Sequence, residues 1–278
     1  MTFERVLVVG AGQMGGGIAQ TFAASGRQVL LHDPFPGATD KAIATMEKSL
    51  TRLAEKGADV DPAAVLERIE PAEDLAPADL MVEAVVEEAE TKKDIFRRAD
   101  AALPPEAVFA SNTSSIPIAS LAAETGRPDR VIGMHFFNPP PVMALLELTP
   151  SSDTSEETFA FVRGFGTDVL GKTCVRSGDE AGFIVNRLLI PYLFDAIRLY
   201  ERGFATKEDI DTAIHLGLAH PMGPLRLSDL IGLDTVVSIG EVLHRAFGEA
   251  RYEAPALLRS LVAEGKLGRK TGEGFYSY

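Results

Sequence analysis

Cysteine is nearly absent: Cys174 is the only one in 278 residues. An intrachain disulfide is therefore excluded, and the chain suits a reducing compartment. Cys174 has no histidine near it in the sequence and reads as structural. Long apolar runs are also missing. The stretch Val6 to Val9 is short and ends in glycine, far below the ~20 apolar residues that span a bilayer, so no membrane association is expected. Positive charge is in deficit, with 27 Lys and Arg against 40 Asp and Glu, a formal net charge of −13. A field of that sign repels phosphate backbones, which argues against a nucleic-acid partner. There is no internal repeat and no low-complexity segment. Met1-Thr2-Phe3-Glu4-Arg5 leads straight into an apolar strand with no signal or transit pattern, so the cytoplasm is the expected location.

What is present is the material of a two-domain globular protein. The length corresponds to about two domains of ~150 residues, and 46% hydrophobic residues suffice for buried cores. In the first half, strand-like and helix-like segments alternate. Strands are expected at 5–9, 28–32, 80–82, 107–110 and 131–134. Helices are expected at 18–24, 38–56 (stopped by Gly57) and 91–101. This β-α-β rhythm implies an α/β domain, a mostly parallel, doubly wound sheet with helices on both faces. From about Gly178 the pattern becomes helical, with segments at 183–202, 234–247 and 256–264. Thr206-Lys207-Glu208-Asp209 has the chemistry of a helix start. The expected domains are therefore residues 1–178 and an all-helical C-terminal domain, residues 179–278.

Gly10-Ala11-Gly12-Gln13-Met14-Gly15 follows the first strand and opens a helix. In a G-x-G-x-x-G loop the first glycine permits the tight turn and the second lets a pyrophosphate approach the backbone. The third lets helix and strand pack closely. Asp33 lies at the end of the next strand, where a carboxylate accepts from both ribose hydroxyls. Because it would repel a 2′-phosphate, NAD is favoured over NADP.

His135 ends the strand 131–134 within Gly133-Met134-His135-Phe136-Phe137-Asn138-Pro139-Pro140-Pro141, at the carboxyl edge of the sheet, where ligands bind in open α/β folds. Twelve residues later Glu147 interrupts the apolar run Ala144-Leu145-Leu146-Glu147-Leu148, a costly place for an unpaired acid. A turn at the prolines would return Glu147 beside His135. A carboxylate on one imidazole nitrogen would orient the other towards substrate and stabilise the imidazolium, giving an acid–base pair suited to alcohol–carbonyl chemistry. Spacing alone is equally compatible with a turn histidine and an unrelated acid. Ser111-Asn112-Thr113-Ser114-Ser115 follows another strand and offers hydroxyls and an amide to a ligand oxygen, or alternatively caps a helix before Pro117.

The glycine loop, Ala110 to Ser115, His135 to Pro139 and Leu145 to Leu148 together resemble the L-3-hydroxyacyl-CoA dehydrogenase family. So do Gly182-Phe183-Ile184-Val185-Asn186-Arg187, Pro221-Met222-Gly223-Pro224 and the tail Lys270 to Tyr276. The resemblance covers nearly the whole chain in order, and is greatest to the short, single-function type. It implies a Rossmann-like NAD-binding domain followed by a helical domain that carries substrate contacts and a homodimer interface. It implies His135 as catalytic base, Glu147 as its partner, Asn138 as support, and Ser114 and Asn186 at the reacting centre of the substrate. Asp33, Glu87, Lys92, Asn112 and Lys270 join Gly10 to Gly15 as expected NAD contacts, and Ser49 and Lys56 as CoA contacts. The i, i+7 spacing of Ser49 and Lys56 independently puts them on one helix face, which would equally suit a solvated face. No metal is expected. The implied reaction is reversible oxidation of an (S)-3-hydroxyacyl-CoA, with a short chain such as 3-hydroxybutyryl-CoA, to the 3-oxoacyl-CoA. Lys56 with Arg52 would offset the acidic field for CoA. Two other readings are a CoA-independent hydroxy-acid or sugar-acid dehydrogenase of related fold, and a non-catalytic NAD-binding structural protein. Two aromatics in the glycine-rich tail imply burial. Truncation before Lys270 is expected to impair NADH binding and to leave the C-terminal helices folded.

Overall fold

A computed structural model describes residues 3–278; Met1 and Thr2, part of the N-terminus read above as leader-free, lie outside the described residues. The chain divides into two compact units, one ending at Glu180 and the other Ala181–Tyr278. Each is described by itself.

The first unit holds one eight-stranded sheet: β1 (Arg5–Val9), β2 (Gln28–His32), β3 (Ile69–Ala72), β4 (Leu80–Glu83), β5 (Val108–Ser111), β6 (Val131–Phe136), β7 (Leu145–Pro150) and β8 (Thr173–Arg176), in the spatial order 3-2-1-4-5-6-7-8. All neighbours up to β6 pair in parallel. Parallel strands covered on both faces need continuous apolar runs, and β1 shows why. Val6 and Val8 project into one core with Ile18, Phe22 and Met46, while Leu7 and Val9 project into a second with Ile95, Phe96 and Phe109. The helices of this unit are α1 (Gln13–Ala24), α2 (Ala38–Glu55), α3 (Pro62–Leu66), α4 (Ala89–Ala102), α5 (Ile118–Ala122) and α6 (Glu156–Gly164). The fold is a Rossmann-like α/β sheet.

Three strands escaped the sequence reading. β3 and β8 are the sheet's two edges. Ile69-Glu70-Pro71-Ala72 contains a proline, which only an edge strand tolerates, and β8 has no fully buried residue. β7 was recognised only as an apolar run interrupted by an acid. It pairs antiparallel to β6, so the chain does turn at the prolines, through a cis peptide bond at Asn138–Pro139. Lys172 pins this loop: its buried ammonium donates to the carbonyls of Pro140 and Met143 at 2.7 and 2.8 Å. Burial pushes the Lys172 ammonium below its usual pKa.

The second unit is helical: α7 (Val185–Glu201), α8 (Lys207–Gly217), α9 (Pro224–Ile231), α10 (Leu233–Phe247) and α11 (Ala256–Ala263). Thr206 caps α8 by accepting from the Asp209 N–H at 3.1 Å. Ile190, Leu193, Phe194 and Ile197 of α7 pack with Val236 and Leu243 of α10, and with Tyr252, Phe275 and Tyr276. Two buried carboxylates stitch the tail into this core. Asp229 accepts from the N–H groups of Phe275 and Tyr276 at 2.8 and 2.9 Å and from the Tyr278 hydroxyl at 3.0 Å. Asp211 accepts from the Leu225 N–H and the Tyr276 hydroxyl, each at 2.8 Å. The tail is thus part of the core, and the expectation that the helices survive its removal is withdrawn. Among the described residues, no helix is long and apolar enough to cross a membrane.

Candidate active site

The glycine loop joins β1 to α1 as steric necessity dictates. Gly10 has φ +104°, and a Cβ there would stand 2.6 Å from the Ala84 carbonyl oxygen. A Cβ on Gly15 would overlap the Gly10 carbonyl oxygen, while the space around Gly12 is open. Ala11 and Met14 pack against the core. Gly12 is the N-cap of α1, no side chain caps it, and no acid lies in the first turn. The free N–H groups of that turn, and an approach unblocked by any Cβ, suit a pyrophosphate. Asp33 follows β2 and accepts from the Ala11 N–H at 2.7 Å and the Phe35 N–H at 2.9 Å. It is thereby fixed beside the loop with acceptor capacity left for ribose hydroxyls. The residues present fit a dinucleotide.

His135 lies in β6 and Glu147 is its register partner in β7. Register partners of an antiparallel pair project from the same face, so the two side chains meet: His135 Nδ1 donates to Glu147 Oε2 at 2.7 Å. Glu147 is completely buried and His135 is 7% exposed. A carboxylate can only accept, so the shared hydrogen sits on Nδ1. The ring lies 4.7 Å from that of Phe137. Asn138, expected to support His135, accepts from Gln13 Nε2 at 3.2 Å, which ties the β6–β7 loop to the glycine loop. Asn112 uses its side-chain oxygen to accept from the Phe136 N–H at 2.8 Å, holding the ends of β5 and β6 together.

Thr113, Ser114 and Ser115 converge on Glu87. One oxygen of Glu87 accepts from Thr113 Oγ1 at 2.5 Å, from the Ser114 N–H at 3.0 Å and from Ser115 Oγ at 2.7 Å. Burial pushes the Glu87 carboxyl up, but the Lys92 ammonium and these hydrogen bonds outweigh it and hold it below the usual carboxylate value. Lys92 departs from expectation. Its side chain is 1% exposed and its ammonium lies 2.6 Å from Glu83 and 3.2 Å from Glu87. A lysine inside this core must be paired, so its charge faces two carboxylates rather than an open cofactor site. Glu83 was missed, although it closes the apolar run Leu80-Met81-Val82-Glu83, the same signal that singled out Glu147.

Ser49 is half-buried on α2, and Lys56 is exposed at its C-cap, with Arg52 also exposed on the last turn. Asn186 lies in the first turn of α7, just after a left-handed pair, Gly182 at φ +80° and Phe183 at φ +45°. A Cβ on Gly182 would collide with Leu243, 2.6 Å away. Lys270 is expected at the cofactor, but within the second unit its ammonium is paired with Asp234 at the start of α10, 2.6 Å away.

Comparison with known proteins gives the family. Residues 5–180 match the NAD binding domain of 3-hydroxyacyl-CoA dehydrogenase, and residues 182–278 match its C-terminal domain. The chain is 46% identical over 281 residues to a 3-hydroxybutyryl-CoA dehydrogenase of Mycobacterium tuberculosis, covering 99% of this chain and 98% of that one. It is 44% identical over 279 residues to the Clostridioides difficile enzyme of that name, covering 99% of each. The crystal structure of (S)-3-hydroxybutyryl-CoA dehydrogenase from Ralstonia eutropha superposes with a TM-score of 0.92 at 43% identity, over 100% of this chain and 99% of that one. The chain belongs to the 3-hydroxyacyl-CoA dehydrogenase family and is an NAD-dependent oxidoreductase of 3-hydroxyacyl-CoA.

Proposed function

We propose that the protein interconverts (S)-3-hydroxybutyryl-CoA, or an equally short homologue, and the 3-oxoacyl-CoA, with His135 and Glu147 as its acid–base pair. The observation that carries this reading is the buried 2.7 Å hydrogen bond between them at the carboxyl edge of β6. With Nδ1–H held by Glu147, Nε2 accepts the proton of the C3 hydroxyl as the alcohol is oxidised. NAD held by the glycine loop and Asp33 would supply the hydride acceptor for C3. In the reverse direction the imidazolium returns its proton to the forming alkoxide, and Glu147 stabilises that cation. Ser114, fixed through its backbone on Glu87, directs its hydroxyl to the reacting oxygen. Asn186 is retained as a further substrate contact on the resemblance alone. Asn112 and Asn138 act by holding β5, β6 and the glycine loop in register. Lys92 acts through Glu87. Asp33 holds the adenosine ribose, Lys270 remains a proposed cofactor contact once released from Asp234, and Ser49 and Lys56 receive the CoA nucleotide.

The helical unit is proposed to form a two-fold homodimer. Phe204, Leu216, Leu218, Leu188 and Leu230 are exposed on it by between 47% and 76%, large apolar side chains that a two-fold interface would cover. The deciding experiment is turnover of acetoacetyl-CoA with NADH by the purified protein, with His135→Gln as control. We expect wild-type turnover and a fall in kcat of at least about 100-fold in the variant. Absence of wild-type turnover would dismiss the proposed substrate.

A further inference from the structure

Glu83 has no exposed surface and ends β4 at the carboxyl edge of the sheet. A carboxylate in such a place is costly unless every lone pair is used, and its partners lead to one segment. Oε2 accepts from Ser111 Oγ at 2.6 Å, and that hydroxyl oxygen accepts from the Thr113 N–H at 3.1 Å. Oε1 accepts from Lys92 Nζ at 2.6 Å and from the Val85 N–H at 2.7 Å. Lys92 Nζ in turn lies 3.2 Å from Glu87 Oε2, and Oε1 of Glu87 receives Thr113, Ser114 and Ser115. A short arm through Ser111 and a long arm through Lys92 and Glu87 thus leave the two oxygens of one carboxylate. They meet on consecutive residues of one loop.

We propose that Glu83 is a positioning residue for the reaction, fixing the backbone from which Ser114 presents its hydroxyl. The inference rests on the assignment of Ser114 to the reacting oxygen made above. The short arm anchors the N–H of Thr113 and the long arm anchors the N–H of Ser114. With one arm cut, the segment pivots about the other. The burial itself has a competing explanation, namely that Glu83 only neutralises Lys92. That explanation makes a different prediction for a variant that lacks both charges.

The test uses the full chain in three variants: Ser111→Ala, Glu83→Gln, and Glu83→Gln combined with Lys92→Met. Steady-state kinetics with acetoacetyl-CoA and NADH are measured together with amide hydrogen exchange across residues 108–118. Ser111→Ala leaves the ion pair untouched. It should still lower kcat/KM about tenfold, the loss expected from one hydrogen bond to a charged group, mostly in kcat and with little change in KM for NADH. Exchange at Thr113 and Ser114 should accelerate, while β1 and β2 stay protected. The double variant removes the buried Glu83–Lys92 pair together and leaves Glu87 on its hydroxyl and N–H donors; it should fold and remain impaired. Wild-type kcat/KM in Ser111→Ala, recovery of activity in the double variant, or unchanged exchange at Thr113 and Ser114 would each overturn the proposal. Should Glu83→Gln not fold, Ser111→Ala decides alone. Exchange is read without turnover, so an inactive wild type would strike the proposed substrate while the exchange comparison still decides whether Glu83 holds the segment.

Discussion

Replacing Glu147 by Gln changes one atom and keeps the shape of a fully buried side chain. Its cost can be worked from the 2.7 Å contact. Two unit charges ~4 Å apart interact by about 4 kcal/mol at an effective dielectric constant near 20. That is the stabilisation the imidazolium loses as it forms during the reaction. The amide adds a second penalty. Its NH2 group can donate to Nδ1, which favours the tautomer with the proton on Nε2 and removes the lone pair that must accept from the substrate. Allowing for relaxation, about 3–4 kcal/mol of transition-state stabilisation disappears, a fall in kcat of roughly 100- to 1000-fold. The assay is reduction of acetoacetyl-CoA followed by NADH absorbance, with NADH affinity measured separately by fluorescence titration. NADH affinity should change little, since the glycine loop is untouched. A variant that keeps kcat within about threefold of wild type, less than one kcal/mol of barrier, would refute the pairing as the proton-handling device.

Asp229→Asn should destabilise the helical unit by about 3 kcal/mol, because a charged acceptor of three donors becomes a group that repels at least one of them. Truncation at Gly268 should unfold that unit, and both effects are read by circular dichroism during urea denaturation. Tyr276 is pushed above its ordinary value of 10.0 by burial and by Asp211. Its neutral phenol therefore stabilises the fold fully below pH 10, and the contribution is lost as pH rises through the folded value. Thermal unfolding should worsen above pH ~10, less steeply in Tyr276→Phe; burial also raises Tyr278 and Tyr192, so the decline should shrink without vanishing. Asp33→Ser should narrow the preference for NADH over NADPH by about tenfold or more. It should also weaken NADH itself, because the Ala11 N–H loses its acceptor; unchanged cofactor ratios would remove Asp33 from the ribose site.

Much of this was legible because local pattern and tertiary environment agreed. The strands buried on both faces read as apolar runs, and the glycine loop was legible because Gly15 packs on the Gly10 carbonyl nearby in the chain, although the Ala84 backbone that crowds Gly10 comes from a distant strand. The acid at position 147 was informative for the same reason, since an ion in an apolar run needs a partner. Glu83 carried that signal too, but no turn comparable to the prolines before Glu147 points to its partners Ser111 and Lys92. Edge strands were illegible because only one side of each is paired, so neither composition nor alternation marks them. Lys92 and Lys270 were placed by resemblance to a motif. That assigns a position in the chain but cannot say which carboxylate the side chain will meet first.

The antiparallel pairing of β6 and β7 also separates two properties that are often linked in enzymes. His135 and Glu147 are held opposite each other by ladder hydrogen bonds between their own strands, whereas the intervening loop is fastened independently by Lys172 and Gln13. A slip of one residue in either strand would turn Glu147 to the opposite face of the sheet. The exposed side chains of Val142 and Met143 take no part in that ladder, so they can be replaced without dismantling the proton chemistry. The strands on either side admit no such freedom.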